Sequence, residues 1–310
     1  MLRHTRAAAA ALLTAATVPA LAACGGSSDD ADGAITFAAV PAESSSSVNS
    51  DYANLVALLE KETGRTVEFQ NASDYAAVIE GQRAGQIDIA SYGPFSYVIA
   101  KDSGIDLTPV ASPTHDENEA PAYQALAYTR AGSDIKGLED LKGKTVCLVD
   151  AASTSGYLVP MKGLKDAGLT LDEDVTGKLT GGHDASLLAL RNGECDAAFA
   201  HDTMLSTLES GGQVKEGELT PVWTSDPITE DPIAVNHVSL DDDVIATITE
   251  ALQTKANKPA LVAEGICDSE EECTLPEEIE WGYRPVTDAD FDSIREICAG
   301  TDADACKNIG

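Results

Sequence analysis

Three hydroxyl residues in succession, Ser153, Thr154 and Ser155, precede Gly156 at the start of a predicted helix. A helix N-terminus presents N–H groups without intrahelical partners, together with a partial positive charge. With hydroxyls beside it, such a turn can hold a tetrahedral oxyanion without any lysine or arginine. The same residues can also form a plain N-cap with surface hydroxyls, so the loop by itself leaves both uses open. A second segment of this kind is Gly181-Gly182-His183-Asp184-Ala185-Ser186. Its two glycines allow a tight turn, and His183 would precede a helix start. The imidazole could donate to an anion there, or be a structural histidine.

The elements that must position these loops read as alternating strands and helices. Strand candidates are Ile35–Val40, Thr66–Gln70, Ile87–Ala90, Tyr123–Arg130, Thr145–Val149, Cys195–Ala200 and Pro232–Val238. Between them, Tyr52–Thr63 shows an apolar face at Leu55, Val56, Leu58 and Leu59 and stops at Gly64. Asp74 can cap a helix Tyr75–Ala84, and Gly93-Pro94 breaks the chain before a helix Phe95–Lys101. In the second half, Leu138–Lys144 reads as a short helix and turn. Gly156–Ala167, Asp184–Asn192, Asp241–Thr254 and Asp288–Cys298 read as helices. The β-α-β pattern occurs in both halves, which argues an α/β fold with mainly parallel strands. Ligands in open α/β sheets bind beyond the carboxyl ends of strands. The loops after Ala90, Val149 and Ala200 are therefore the places to expect a site.

Composition narrows the function. The 310 residues carry 52 acids against 20 bases, a net charge of −32. Such a field repels nucleic acid and excludes direct DNA or RNA binding as a role. A mean hydropathy of −0.10 excludes a polytopic membrane protein. The first residues carry Arg3 and Arg6, then an alanine-rich apolar run to Ala23, the pattern of a secretory signal over residues 1–23. The end of that run, Leu21-Ala22-Ala23-Cys24, resembles a bacterial lipobox, in which the chain is cut before a cysteine that is then lipidated. Residues 24–33, with Gly25-Gly26-Ser27-Ser28-Asp29-Asp30, suit a flexible polar tether behind a lipid on Cys24. Taking Arg3 and Arg6 from the 20 bases leaves 18 against 52 acids, so the processed chain carries −34. This leader places the protein at the cell membrane, anchored on its extracytoplasmic side.

Assigning Cys24 to lipid leaves six cysteines, Cys147, Cys195, Cys267, Cys273, Cys298 and Cys306, in an oxidising compartment. Short spacing pairs Cys267 with Cys273 and Cys298 with Cys306, leaving Cys147 and Cys195 to bridge neighbouring strands. Six cysteines allow 15 connectivities, so this pairing is one among several. A zinc site would need a C-x-x-C or nearby histidines, and neither is present. We expect no metal and no cofactor.

The order and spacing of several segments resemble the substrate-binding proteins of phosphonate, phosphite and phosphate ABC transporters. These are Ala72-Ser73-Asp74-Tyr75 to Gly81, Ile87-Asp88-Ile89-Ala90-Ser91-Tyr92-Gly93-Pro94, Leu138–Lys144, Asp150–Tyr157 and Gly181–Ser186. The resemblance covers roughly Ile35 to Leu252. The Leu-Lys-Gly-Lys motif is common among binding proteins, whereas Ser-Thr-Ser-Gly with Gly-Gly-His-Asp at this spacing is specific. The resemblance implies a two-lobed, periplasmic-binding-protein-like type II fold with a ligand cleft between the lobes. It implies oxyanion contacts from Ser153, Thr154, Ser155 and His183, with tyrosines at Tyr75 and Tyr123. The acidic residue before Pro-Ile falls on Asp231, which could accept from a P–OH or from a ligand amine. Family members that take aminoalkylphosphonates carry a further carboxylate where this chain has Thr203, with Asp202 beside it. That departure favours phosphite, phosphate or a small alkylphosphonate.

The expected function is an extracytoplasmic solute-binding lipoprotein that hands a phosphorus oxyanion to an ABC permease. It is expected to be monomeric and not an enzyme. We expect lobe 1 to comprise residues 34–125 and 233–310, and lobe 2 residues 126–232, with crossings near Leu126 and Pro232. One alternative keeps the fold and binds a sulfonate or another small anion. Another is a ligand-sensing lipoprotein without a permease. A remote one is a secreted metal-dependent phosphohydrolase, suggested by His201-Asp202 and His183-Asp184. The processed chain holds only four histidines, at 115, 183, 201 and 237, a thin inventory for such a centre. No G-x-S-x-G elbow supports a serine hydrolase.

Overall fold

The computed structural model describes residues 33–41, 48–276, 279–301 and 303–307. The expected signal peptide, residues 1–23, Cys24 and the expected tether up to residue 32 lie outside these residues. Gly33–Gly310 forms one compact unit by itself.

Thirteen strands are formed among the described residues. They are β1 (Ile35–Ala39), β2 (Val67–Asn71), β3 (Ile89–Ser91), β4 (Leu107–Thr114), β5 (Ala122–Tyr123), β6 (Ala125–Arg130) and β7 (Thr145–Leu148). The remainder are β8 (Thr176–Leu179), β9 (Ala197–His201), β10 (Leu219–Thr224), β11 (Ile228–Thr229), β12 (Ile233–Asn236) and β13 (Gly282–Pro285). A six-stranded sheet has the order β13-β4-β12-β3-β1-β2, and a five-stranded sheet the order β10-β6-β9-β7-β8. A two-stranded ladder, β11-β5, sits where the chain passes between the two large sheets. The architecture is α/β, as the β-α-β pattern implies, and two-lobed, as the family resemblance implies.

Local chemistry explains the elements that hold the site. The helix Ala53–Thr63 buries Leu55, Leu58 and Leu59 and ends at Gly64, whose φ of 67° is the left-handed stop that glycine permits. The Asp74 carboxylate accepts the Ala77 N–H at 2.8 Å and so starts the helix Tyr75–Arg83. Gly93 precedes the helix Pro94–Asp102, with proline in the first turn where its missing N–H costs nothing. Phe95, Tyr97 and Val98 from that helix share one apolar cluster with Val149, Leu158 and Val159, and with Phe291 and Ile294 near the C-terminus. One continuous core therefore runs from the six-stranded sheet's helices to the helix that follows β7.

Several expectations need correction. The strands are mixed rather than mainly parallel. β1 pairs in parallel with β2 and β3, and β7 with β8 and β9. The pairings of β12 with β3 and β4, β13 with β4, and β6 with β9 and β10 are antiparallel. The antiparallel strands include those that follow each passage between sheets. The predicted strand Tyr123–Arg130 is broken at Gln124. Its N–H donates to Asp202 Oδ2 at 2.9 Å and its side-chain amide to the Ser225 carbonyl at 2.8 Å. Tyr123 is thereby freed to pair with Ile228. β4 and β10 contain prolines, which argue against a strand, and each carries a register shift next to its proline.

Among the described residues the three disulfides are Cys147–Cys195, Cys267–Cys273 and Cys298–Cys306. Cys195 lies in the turn before β9 rather than inside the strand, and it still reaches Cys147 on the neighbouring β7 with a Cα–Cα distance of 5.8 Å.

Candidate functional site

All seven side chains expected to hold ligand, Tyr75, Tyr123, Ser153, Thr154, Ser155, His183 and Asp231, line one cavity. They come from five separate stretches of chain. The cavity leaves ≈ 30 Å³ for the centres of water-sized molecules.

The hydroxyl turn is built differently from the expectation. The helix begins at Thr154, two residues before the predicted start, and Ser153 is its N-cap. Ser153 Oγ accepts the Gly156 N–H at 3.2 Å. The first turn, Thr154–Leu158, is wound as a π turn, with the Leu158 N–H donating to the Ser153 carbonyl at 3.1 Å. Such wide turns recur at functional sites because they re-aim side chains and backbone donors. Gly156 is required by packing: a Cβ there would lie 2.2 Å from Val149 Cγ2. The glycine lets the helix start press against the end of β7, which fixes where the hydroxyls point. Ser153, Thr154 and Ser155 are each almost fully buried.

Thr154 also ties the two sheets' segments together. Its Oγ1 accepts the Phe95 N–H at 2.8 Å, from the first turn of Pro94–Asp102. The Tyr123 hydroxyl hydrogen-bonds to both Ser155 and Thr154. Burial, with Asp231 and Glu230 nearby, pushes the Tyr123 phenol well above its ordinary range, so it stays a neutral donor.

His183 is the first residue of the helix His183–Arg191, one residue earlier than predicted, and Gly182 is its N-cap. Gly181, at φ 91°, makes the tight turn before it. His183 Nδ1 accepts the backbone N–H of His201 at 3.2 Å. That bond places the proton of a neutral ring on Nε2 and makes it a donor. Burial and the neighbouring His201 hold His183 well below the usual histidine range, so the ring is neutral at physiological pH. His201 is lowered to about 4 by burial alone. The two rings meet edge to face with centroids 4.6 Å apart.

Among the described residues no lysine or arginine lines this cavity. Its charged residues are acids: Asp202, Glu230 and Asp231. Asp202 Oδ2 is engaged by the Gln124 N–H at 2.9 Å, and Thr203 Oγ1 lies 3.0 Å from His201 Nδ1. The arrangement can supply hydroxyl, phenol, imidazole and backbone donors to an anion, with carboxylate acceptors for a protonated oxygen. Among the described residues no cluster of three or more His, Cys, Asp or Glu side chains could hold a metal ion. His201 escaped the sequence-based selection of donors. Its signal was the position after Ala200, at the carboxyl end of a strand.

Several known binding proteins are similar to this chain in sequence or fold. Residues 37–271 match the family model described as the periplasmic phosphonate substrate-binding protein of an ABC transporter. The phosphate-import protein PhnD of Mycolicibacterium smegmatis is 43% identical, over 96% of this chain and 97% of its own. A binding protein of an ABC phosphonate transporter from Pseudomonas aeruginosa shares the fold, with TM-score 0.73, 24% identity and 85% of each chain covered. PhnD1 of Prochlorococcus marinus, solved with methylphosphonate, gives TM-score 0.71 at 16% identity, covering 86% of this chain and 97% of its own.

Proposed function

The chain belongs to the phosphonate substrate-binding protein family of ABC transporters, and from that membership we propose that it captures a compact phosphorus oxyanion in the cavity around Ser153–Ser155 and His183. It delivers that anion to an ABC permease and catalyses no reaction. The observation that carries the reading is the donor set: two helix starts, three hydroxyls and a neutral imidazole line one cavity. In this reading Ser153, Thr154, Ser155 and His183 donate to the anion, while Tyr75 and Tyr123 complete the wall. Asp231 accepts from a P–OH. A sulfonate offers no such proton and would face Asp231 and Glu230 with lone pairs only, which favours phosphorus over sulfur. The name of the Mycolicibacterium relative, a phosphate-import protein, supports a small anion.

We place lobe 1 at residues 34–125 and 233–310 and lobe 2 at 126–232. The β5–β11 ladder would then be the crossing between them, about which the lobes close on ligand. The chain acts as a monomer outside the cytoplasmic membrane, held by lipid on Cys24.

A thermal-shift panel with phosphate, phosphite, methylphosphonate, 2-aminoethylphosphonate, sulfate and taurine tests the ligand class. A single-site ligand at a hundredfold excess over Kd adds ~2.7 kcal/mol of stability. A shift with a phosphorus anion is expected, and His183→Ala or Ser155→Ala should weaken binding about tenfold to a hundredfold by removing a charge-assisted donor. A shift only with taurine or sulfate, or unchanged affinity in both variants, refutes the reading.

A further inference from the structure

His201 ends β9 and sits on the cavity wall with 8% of its surface exposed. Its backbone N–H is spent on His183 Nδ1, and its own Nδ1 lies 3.0 Å from Thr203 Oγ1. Its Nε2 is buried and has no hydrogen-bond partner among the described residues. A buried imidazole nitrogen left unpaired is costly, so a group that pairs with it on binding gains what the free site lacks.

We propose that His201 Nε2 reads the fourth corner of the bound anion and selects an ion with oxygen on all four corners, phosphate, over those with hydrogen or carbon there. This rests on the phosphorus-oxyanion reading above and extends it to the ligand's identity. Phosphite presents P–H and an alkylphosphonate P–C at the corner where phosphate presents oxygen. Neither P–H nor P–C can pair with an imidazole nitrogen. The contact also tolerates both protonation states of phosphate. When the Thr203 hydroxyl donates to Nδ1, Nε2 carries the proton and donates to an anionic oxygen. When Nδ1–H donates to Thr203, Nε2 accepts from a P–OH. A threonine hydroxyl can rotate to serve either arrangement. A site built to hydrogen-bond a ligand group rejects the analogue lacking it far more strongly than an apolar pocket rejects an extra group.

The test is calorimetric titration of the full chain, purified in detergent, with phosphate, phosphite and methylphosphonate. The wild type should bind phosphate at least about tenfold tighter than the other two. His201→Leu should weaken phosphate binding about tenfold to a hundredfold and change the other two by less than about threefold, closing the gap. His201→Gln, which keeps a polar end, should retain part of the preference, and it serves if circular dichroism shows the leucine variant unfolded. Equal weakening of all three anions in either variant, or an unchanged phosphate affinity, overturns the role of His201. So does a wild type that prefers methylphosphonate or phosphite. A wild type that binds none of the three overturns the phosphorus-oxyanion reading itself, and with it the selectivity.

Discussion

Replacing Thr154 by valine keeps the side chain's shape and deletes its oxygen. That oxygen has two lone pairs and one hydrogen. One lone pair takes the Phe95 N–H at 2.8 Å, and the Tyr123 phenol shares the hydroxyl. Phe95 is fully buried, so in the variant its N–H faces carbon with no water to replace the lost acceptor. A buried donor left unsatisfied costs about 1–3 kcal/mol. The bond links the helix after β3 to the helix after β7, so the cost falls on the form in which those two segments meet over the cavity. Ligand affinity should therefore fall about fivefold to 150-fold. Thr154→Ser restores the oxygen and should stay within about threefold of wild type. Titration calorimetry with phosphate reads the affinity, and ligand-free melting separates lost closure from lost folding. An affinity for Thr154→Val within twofold of wild type would refute the reasoning. So would a variant that loses melting temperature while binding as before.

Two further outcomes follow from the same structure. His183 and His201 both titrate below their unfolded value of 6.5, because burial disfavours the charged ring. Their stabilising neutrality is complete above about pH 6.5 and is lost as pH falls toward the folded values, since only the unfolded chain then takes up protons. With His201 at about 4, its share is about 3 kcal/mol between those limits. Asp202 is pushed upward by burial and works in the opposite direction, equally in wild type and variant. Ligand-free urea melts from pH 8 to 4.5 should show a shallower loss in His201→Asn than in wild type, and parallel curves would contradict the assignment. For the anchor, the processed N-terminus should carry a thioether-linked lipid on Cys24 by mass spectrometry. Cys24→Ser should release the protein from the membrane fraction, and its retention there would exclude this anchor.

What the sequence disclosed was chemistry that depends on chain neighbours. Asp74 before its helix, Gly64 after one, and the serine–threonine run before Gly156 are local signals, because a cap is satisfied within one turn. The starts at Thr154 and His183 were misplaced by one or two residues because the decisive bonds are not local. Gly156 fits only against Val149, and His183 is oriented by a backbone N–H 18 residues away. β4 was not among the strand candidates; it carries Pro109 and Pro113, residues that argue against a strand, and its ladder shifts register beside Pro109. His201 looked like half of a His-Asp metal motif. Its role emerges only when Thr203, His183 and the cavity wall leave Nε2 as the one ring atom without a protein partner.

The proposed site also bears on how a chain of net charge −32 would hold an anion. Long-range attraction is of no help, and physiological salt screens exposed charges beyond ~8 Å. Placing lysine or arginine in the site would aid capture but would accept sulfate and phosphate alike. Here the donors are neutral: hydroxyls, a phenol held protonated by burial, and imidazoles held below their usual range by the same burial. Neutral donors beside Asp231 and Glu230 favour an anion that retains a proton to give back. Desolvation that would be a penalty for a charged host is small for such groups before binding and makes each hydrogen bond stronger once the anion is inside. In the proposed reading the acidic surface and the anion site are compatible, because such a site would recognise geometry and proton content rather than net charge.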